Sequence, residues 1–227
     1  GDSLWTYVSS WRGPVSAIIA TSDTGCAIAG RMPDTLFDFG LIKLRGDGTE
    51  EWARHYHDPG VFWSWARNAA QTRDGGYIVC GDAGDYMDSY LRLARINPSG
   101  DAVWARLYTG PVGPRFAAVR EMPDSGFLAV GHVFDTLTSH DALYMMRTNA
   151  AGDTLWTQQL KPTGTAAQAA AMTGTMDGGY VIAGNIAWTD STRVWLLKTD
   201  AQADTVWTSI LGGPGRETGS DVKQTAD

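Results

Sequence analysis

Short runs of apolar residues alternate with polar turns along the whole chain. The stretch from 167 to 210 is representative, because four such runs follow one another, separated by segments that contain Gly, Asp and Asn. Their β-branched and aromatic residues favour strands joined by hairpins over helices. The alanine-rich run 166–171 is helix-prone, but it falls on a strand position of the repeat described next. The pattern therefore predicts an all-β protein.

Three sequence markers recur at intervals of about 50 residues. The first is a tryptophan in a short strand-like run, at Trp5, Trp52, Trp104, Trp156 and Trp207. The second is Asp-x-Gly followed by an apolar run that ends in glycine, with the aspartates at Asp23, Asp74, Asp124 and Asp177. The third is a basic residue nine positions before a tryptophan, at Lys43, Arg95, Arg147 and Lys198. Because the three markers stay in phase, they define a repeated structural unit.

A four-stranded antiparallel unit with this period is typical of a β-propeller blade, and kelch-like blades have about this length. We label the strands of each unit A to D, from the innermost to the outermost. Residues 16–56, 66–108, 116–160 and 167–211 are the four predicted full blades. Residues 1–10 and 219–226 are the predicted outer and inner strands of a partial fifth blade. The sequence thus predicts a single β-propeller domain over residues 1–227.

The partial blade carries a further expectation. It would lack its two middle strands, and unpaired strand edges invite association with other chains. We therefore expect a piece of a longer repeat protein, with self-association through the open blade edges as a possible property.

The repeat units resemble those of large secreted or surface β-propeller proteins of Bacteroidetes and related bacteria. The segments that carry this resemblance are DGGYIVCG, MDGGYVIAG, VWLLKTDAQADTVWTSILGG and YMMRTNAAGDTLWT. Many such proteins carry a C-terminal secretion-sorting domain. The resemblance implies an extracellular or cell-surface location and leaves the activity open.

The amino-acid composition excludes several classes of protein. Lys and Arg total 18 against 25 Asp and Glu, so the net charge of −7 argues against a nucleic-acid partner. No apolar stretch is long enough for a membrane span.

Two cysteines exclude a disulfide-rich scaffold and an all-cysteine zinc site. Cys26 and Cys80 occupy oppositely facing positions of the repeat, which predicts free thiols. The sequence predicts no cofactor.

The repeated residues suit structural roles. A tryptophan needed once per blade is expected to wedge between neighbouring sheets. The repeated basic residues are expected to pair with a carboxylate of the adjacent blade or to extend their stems over apolar surface. The repeated aspartates suit the first position of a turn, where they cap their own backbone.

The exceptions to the repeat mark a candidate ligand site. Strand direction in a meander puts the D–A and B–C loops on one face, and these loops vary between units. Aromatic rings and arginine donors at this face suit a glycan or a protein ligand. The candidate residues are Trp11, Arg12, His57, Phe62, Trp63, Trp65 and Arg115. The alternative is that these aromatic residues plug the channel or cover blade edges.

Two metal sites are weak possibilities. His55 and His57 share a strand face, although His55 aligns with Val8, Leu107, Gln159 and Ile210, which suggests a packing position. Asp82, Asp85 and Asp88 could hold Ca²⁺, but their spacing does not match an EF-hand loop. The sequence therefore predicts no metal.

No nucleophile elbow and no phosphate-binding P-loop is present. The sequence therefore predicts a non-catalytic extracellular or cell-surface binding module, and no enzyme. One alternative is a carbohydrate-active propeller enzyme or its sugar-binding accessory module. The other is a structural spacer within a longer surface protein.

Overall fold

A computed structural model describes residues 5–9, 13–31, 38–85, 88–110, 113–161, 166–188, 190–213 and 215–225. These residues form sixteen β-strands and no helix, and accordingly none of them belongs to a helix that could cross a bilayer. The strands are β1 Val15–Ala20, β2 Cys26–Arg31, β3 Phe39–Leu44, β4 Glu50–Tyr56, β5 Trp63–Gln71, β6 Tyr77–Gly84, β7 Ser89–Ile96, β8 Ala102–Tyr108, β9 Arg115–Glu121, β10 Phe127–Asp135, β11 His140–Thr148, β12 Thr154–Leu160, β13 Ala166–Gly174, β14 Tyr180–Ala187, β15 Thr192–Thr199 and β16 Thr205–Leu211.

The strands make four antiparallel sheets of four strands each, in sequence order from A to D. The chain divides into two compact units, Gly1–Thr109 and Gly110–Asp227, which we call unit 1 and unit 2. Unit 1 contains the sheets β1–β4 and β5–β8, and unit 2 contains β9–β12 and β13–β16. The four predicted four-stranded blades are confirmed. Within each unit, buried side chains of the two sheets form an apolar core.

An ion pair ties the third strand of every sheet to the turn between the first two. The pairs are Lys43–Asp23 at 2.7 Å, Arg95–Asp74 at 2.5 Å, Arg147–Asp124, and Lys198–Asp177 at 2.9 Å. The lysine also donates to the carbonyl that follows it, as in the 2.7 Å bond from Lys198 Nζ to Thr199 O. Each aspartate accepts a hydrogen bond from the N–H of the glycine two residues on, as predicted for a turn cap. We call this arrangement the turn clasp.

The turn clasp corrects one expectation and explains one marker. The basic residues pair within their own blade and not with a neighbouring blade, because strand C ends at the face where the A–B turn lies. The glycine of each Asp-x-Gly turn lies directly under the basic side chain. A Cβ atom at Gly179 would lie well inside 3.0 Å of both Lys198 Nζ and Thr199 O.

In each unit, the repeated tryptophan of the first sheet packs on the C–D turn of the second sheet. In unit 1, Trp52 is buried against Gly100, and its ring meets that of Tyr77 edge-on at 5.8 Å. Tyr56 donates a 2.8 Å hydrogen bond to Gly100 O in the same contact. In unit 2, Trp156 lies beside Ala201 and Gln202 of the corresponding turn. The predicted wedge between sheets is thus confirmed within each unit.

The predicted partial fifth blade is wrong, because the described residues form four sheets only. Residues 5–9 form no strand, although Trp5 Nε1 donates to Gly46 O at 3.0 Å. Residues 215–225 make only an isolated bridge between Arg216 and Thr192. The backbone N–H and C=O groups of a strand form hydrogen bonds with a neighbouring strand. The two middle strands that would pair with these segments are not among the described residues, so the segments do not become strands. The remaining residues of the predicted ranges 1–10 and 219–226 lie outside the described part.

The segment 215–225 nevertheless repeats one contact of an inner strand. The Met176 N–H donates to Gln224 Oε1 at 2.7 Å, and the Ser22 N–H donates to Gln71 Oε1 of β5 at 2.8 Å. Gln224 and Gln71 hold the same position in the repeat. Residues 215–225 therefore contact the A–B turn of the sheet β13–β16 in the same way as β5 contacts the A–B turn of the sheet β1–β4.

The glycine of the turn clasp should be intolerant of a side chain. We expect Gly179→Ala to lower the free energy of unfolding by about 1–3 kcal/mol, because the new Cβ must displace Lys198 or the backbone. Gly174→Ala in the same hairpin is the control, since a Cβ there meets nothing within 4 Å. Urea denaturation measures both, and equal values for the two variants would contradict the steric explanation.

The turn clasp should also be visible in the titration of its aspartates. The Thr175 hydroxyl, the Lys198 ammonium and the Gly179 N–H hold the pKa of Asp177 well below its ordinary value. The pKa of Asp177 is lower in the folded state than in the unfolded state. The ionised carboxylate therefore stabilises the fold above about pH 4, and this contribution to the free energy of unfolding is lost as the pH falls through the folded-state pKa. Carboxyl NMR titration should show the Asp177 pKa rising in Lys198→Gln, while the pKa of Asp47, which Thr49 lowers at a turn of another sheet, is unchanged. An unchanged Asp177 pKa would show that Lys198 does not act on it.

Candidate functional site

The structure places four of the predicted ligand residues in unit 1 and a fifth in unit 2. His57, Phe62, Trp63 and Trp65 lie in unit 1, at the D–A loop between β4 and β5 and at the start of β5. Arg115 is exposed at the start of β9 in unit 2, opposite His132 of β10. Trp11 and Arg12 lie outside the described residues.

Trp63 and Trp65 form an aromatic pair on the innermost strand of the second sheet. Alternate residues of a strand face the same side, and their ring centroids are 5.5 Å apart with a tilt of 51°. Both side chains are half-buried, and the neighbouring Phe62 is 37% exposed. The two tryptophans therefore present one apolar surface near the loop end of β5.

A small cavity lies beside Trp65, between the two sheets of unit 1. Its volume is about 150 Å³, and it is lined by Pro14, Ser16, Arg31, Trp65 and Arg67. We call this cavity the Trp65 pocket. The guanidinium carbon of Arg67 is 4.6 Å from the centroid of the Trp65 ring, and that of Arg31 is 5.5 Å away. The ring is thus flanked by two cations, a geometry in which its π-face attracts both.

Asp82 fixes the position of Arg67. Its carboxylate accepts two hydrogen bonds from Arg67, from Nε at 2.6 Å and from Nη2 at 3.0 Å. Asp82 lies on β6 directly opposite Trp65, and only 3% of it is exposed. The Asp82 carboxylate raises the pKa of the Arg67 guanidinium above its ordinary value. Such a fork-to-fork pair fixes the plane of the guanidinium group.

The sequence interpretation missed Arg31 and Arg67, although one signal for Arg31 was present. The residue that follows the glycine closing each B strand is polar in every blade: Arg31, Asp82, His132 and Asn185. An apolar run that ends regularly in a polar residue indicates a position facing a polar environment. Arg67 lies at the bulge of β5, where the pairing with β6 shifts between Ala66 and Asn68, and no sequence marker reveals that bulge.

A second polar cluster is wholly buried between the same sheets. Arg92 of β7 is 1% exposed, and it donates two hydrogen bonds to Asp58 of the D–A loop. Its guanidinium lies 3.6 Å from the ring centroid of Phe39, which stacks on Tyr56. Burial lowers the pKa of Arg92, and the Asp58 carboxylate opposes that change. The cluster anchors the D–A loop of the first blade to the second blade.

The residues proposed as weak metal candidates are engaged with other groups. The Asp82 carboxylate is bound by Arg67, and Asp85 accepts a 2.8 Å hydrogen bond from the Asp88 N–H. His57 Nδ1 lies 3.0 Å from Asp38. Within the described residues, no three His, Cys, Asp or Glu side chains are grouped so that they could hold a metal ion.

The packing role expected for His55 is wrong. His55 is exposed, and so are the aligned residues Val8, Leu107, Gln159 and Ile210. His55 and its counterparts on β8, β12 and β16 face outward from the outermost strand of a sheet, where no other strand of that sheet covers them.

The predicted free thiols are observed at both Cys26 and Cys80.

The buried pair of Arg92 and Asp58 should matter far more for stability than an exposed carboxylate. We expect Asp58→Ala to lower the free energy of unfolding by about 3–5 kcal/mol, because it leaves a buried guanidinium without its counter-ion. Asp190→Ala, at an exposed position, should change it by less than about 0.5 kcal/mol. Urea denaturation measures both variants.

The double variant Asp58→Leu with Arg92→Met separates charge burial from packing. Because it removes both charges, it should recover most of the stability lost in Asp58→Ala. If the double variant were as unstable as Asp58→Ala, the loss would come from loop packing and not from the unpaired charge.

Comparison with known proteins identifies the class of fold. No protein family and no curated protein matches the sequence. Among solved structures, the chain is similar to puromycin hydrolase, with a TM-score of 0.59 and 16% identity over 89% of this chain. It is also similar to the endo-arabinase from Bacteroides thetaiotaomicron VPI-5482, with a TM-score of 0.55 and 12% identity over 92% of this chain. These likenesses, together with the four sheets, define a β-propeller fold.

The two similar structures differ in how much of them the chain matches. It spans 33% of the puromycin hydrolase chain and 84% of the endo-arabinase chain. The narrower resemblance to secreted repeat proteins of Bacteroidetes gains no support from a matching family. The comparisons therefore establish the propeller fold and not membership of that group.

The expectation of a non-catalytic module, and of no enzyme, is corrected by this comparison. Both similar structures are of enzymes, one a hydrolase and the other an endo-arabinase. The absence of a nucleophile elbow or a P-loop excludes particular chemistries only. A propeller positions its functional groups by strand and loop geometry, which leaves no short sequence motif to find.

Proposed function

We propose that the protein is a carbohydrate-active β-propeller enzyme, and that a sugar residue of its substrate binds at the Trp65 pocket. The observation that carries the proposal is the Trp65 ring, half-buried and flanked by the guanidinium groups of Arg31 and Arg67. The name and the extensive overlap of the similar endo-arabinase structure support the choice of a carbohydrate.

The chemistry of the pocket suits a sugar ring. The C–H groups of a pyranose or furanose pack well on an indole face, while its hydroxyl groups need hydrogen-bond donors and acceptors at the ring edge. Arg31 and Arg67 supply donors, and the Ser16 hydroxyl supplies both a donor and an acceptor. A volume of about 150 Å³ holds a single small ring, so the rest of an oligosaccharide would extend over Trp63 and Phe62.

Asp82 acts as a positioning residue in this proposal. It is buried behind Arg67 and holds the guanidinium plane beside Trp65. An arginine fixed in this way loses less conformational entropy when it binds a sugar hydroxyl than a mobile one does. On the sequence resemblance alone, we extend the proposal to an enzyme that acts outside the cell or at its surface.

Hydrolysis and binding of a polysaccharide panel test the proposal. Arabinan, neutral glucans and galactans, and uronic-acid polymers would be assayed for release of reducing ends and, by affinity electrophoresis, for binding. We expect Trp65→Ala to weaken binding of the recognised sugar about tenfold, because it removes the stacking surface.

Trp207→Ala is the matched control, since Trp207 is 43% exposed on the outermost strand β16. It should leave binding and turnover unchanged. Circular dichroism would show whether each variant is folded. The proposal fails if no polymer is bound or cleaved, or if folded Trp65→Ala behaves as the wild type does.

A further inference from the structure

A second cavity lies between the two sheets of unit 2, at the end where the A–B and C–D turns meet. Its volume is about 380 Å³, against about 150 Å³ for the Trp65 pocket, and different residues line it. We call it the Trp156 pocket. Its walls include Met122, Asp124, Arg147, Leu155, Trp156 and Gln202.

One departure from the repeat accounts for the space beside Trp156. The left-handed position of the C–D turn is glycine in the first three sheets, at Gly48, Gly100 and Gly152, whereas the fourth sheet has Ala203 there, with a φ of 69°. A Cβ atom at Gly100 would lie 3.0 Å from the Trp52 ring, so a methyl group at this position prevents close packing of the tryptophan. Accordingly, Trp52 is buried and Trp156 only half-buried. Alanine is also strained at a positive φ, and strain of this kind is often retained at functional sites.

A second departure alters the hydrogen bonds of Asp124. In the other three sheets, the clasp aspartate accepts a hydrogen bond from a threonine hydroxyl two residues before it, as in the 2.7 Å bond from Thr72 Oγ1 to Asp74. Met122 replaces that threonine in the sheet β9–β12. Within the described part of the chain, Asp124 accepts from the Gly126 N–H and from Arg147 Nη2, and both bonds end on Oδ1. Because the Asp124 side chain is 65% exposed, Oδ2 can accept a hydrogen bond from a ligand.

The charges at the pocket favour a neutral ligand with hydroxyl groups. Asp124 is already paired with the buried Arg147, so neither a cation nor an anion would find an unbalanced charge there. An apolar ligand would leave the Asp124 acceptor without a donor. A sugar ring suits both features, since its C–H groups pack on an indole face and its hydroxyl groups donate to a carboxylate. The exposed Gln202 adds an amide donor and acceptor at the rim.

We propose that the Trp156 pocket is a second carbohydrate-binding site, which holds a neutral sugar residue with its ring on Trp156 and a hydroxyl group donating to Asp124 Oδ2. The inference goes beyond the proposed function, because this site needs no catalysis and shares no lining residue with the Trp65 pocket. Both departures from the repeat meet at this cavity. In unit 1 the two corresponding positions hold the regular residues, Thr21 and Gly100.

Calorimetric titration of the Trp65→Ala variant tests the second site, because that variant removes the stacking surface of the first. The probes are arabinotriose, galactotriose and cellotriose. We expect at least one trisaccharide to bind, and the further change Trp156→Ala to weaken its binding at least about tenfold. Trp207→Ala in the same background is the matched control, since Trp207 holds the equivalent position on β16 and lies outside the pocket. It should leave binding unchanged.

A variant that restores the regular repeat tests the pocket without removing its tryptophan. Trp156 also packs on the core of unit 2, so circular dichroism is needed to check the folding of Trp156→Ala. Met122→Thr with Ala203→Gly supplies the missing hydroxyl to Asp124 and lets Trp156 pack on its turn. Added to Trp65→Ala, this pair of changes should weaken trisaccharide binding at least about fivefold. Ala203→Gly alone should raise the melting temperature, because glycine relieves the strained φ.

Thr24→Gly is the control for backbone strain, since Thr24 has a φ of 67° at a turn of unit 1. It should leave trisaccharide binding unchanged. If the restored variant binds as tightly as its Trp65→Ala parent, or if folded Trp156→Ala does, the second site is wrong.

The outcomes also separate this inference from the proposed function. If the wild type binds a trisaccharide and Trp65→Ala binds none, the second site is wrong and the proposed function stands. If Trp65→Ala binds a trisaccharide through Trp156 while the wild type cleaves no polymer, the second site stands and the proposed enzyme fails. If the wild type binds no sugar at all, both fail.

Discussion

Each blade depends on a lysine or arginine that crosses from strand C to the turn between strands A and B. The turn clasp joins three strands of one sheet through a single cation, which contacts the turn carboxylate and the carbonyl group at the end of its own strand. The alternation of buried and exposed side chains and the geometry of the turns specify the register of each hairpin. The clasp adds to this specification, because the carboxylate and the cation meet only when both hairpins are aligned. The glycine under the cation is then obligatory, and so is its place two residues after the aspartate.

Much of the fold could be predicted, because the equivalent segments of several repeat units indicate the same secondary structure even where one segment alone does not. The alanine-rich segment 166–171 is helix-prone by composition, yet it forms part of β13, since the counterpart segments of the other blades are strands. Tertiary context overrides propensity here, and only the repeat reveals that context. The same method failed for residues 5–9 and 215–225. These segments match the repeat in sequence but lack the neighbours that make a strand, so their similarity to strands D and A does not become pairing.

The candidate site was predictable only in part. Aromatic residues clustered at Phe62, Trp63 and Trp65 are visible in the sequence because they interrupt the repeat. The contribution of Arg67 depends on the bulge in β5 and on a carboxylate of the next strand, and neither follows from spacing along the chain. Asp82 shows the limit most clearly. In the sequence it belongs to an acidic loop that suggests calcium, whereas in the fold it is the buried partner of an arginine.

The turn clasps and the tryptophan contacts lie at the same end of the sheets, where the A–B and C–D turns meet. Trp52 on Gly100 and Trp5 on Gly48 are contacts between a strand and a turn of defined length. The D–A and B–C loops at the opposite end make no such repeated contact within the described residues. The protein is therefore suited to loop grafting. Foreign peptide sequences inserted at that end, outside the D–A loop that Asp58 and Arg92 anchor, would leave the elements that set register and spacing untouched. An insertion of a single residue into an A–B or C–D turn would disrupt those elements. The fold is in this sense a display scaffold with one permissive edge.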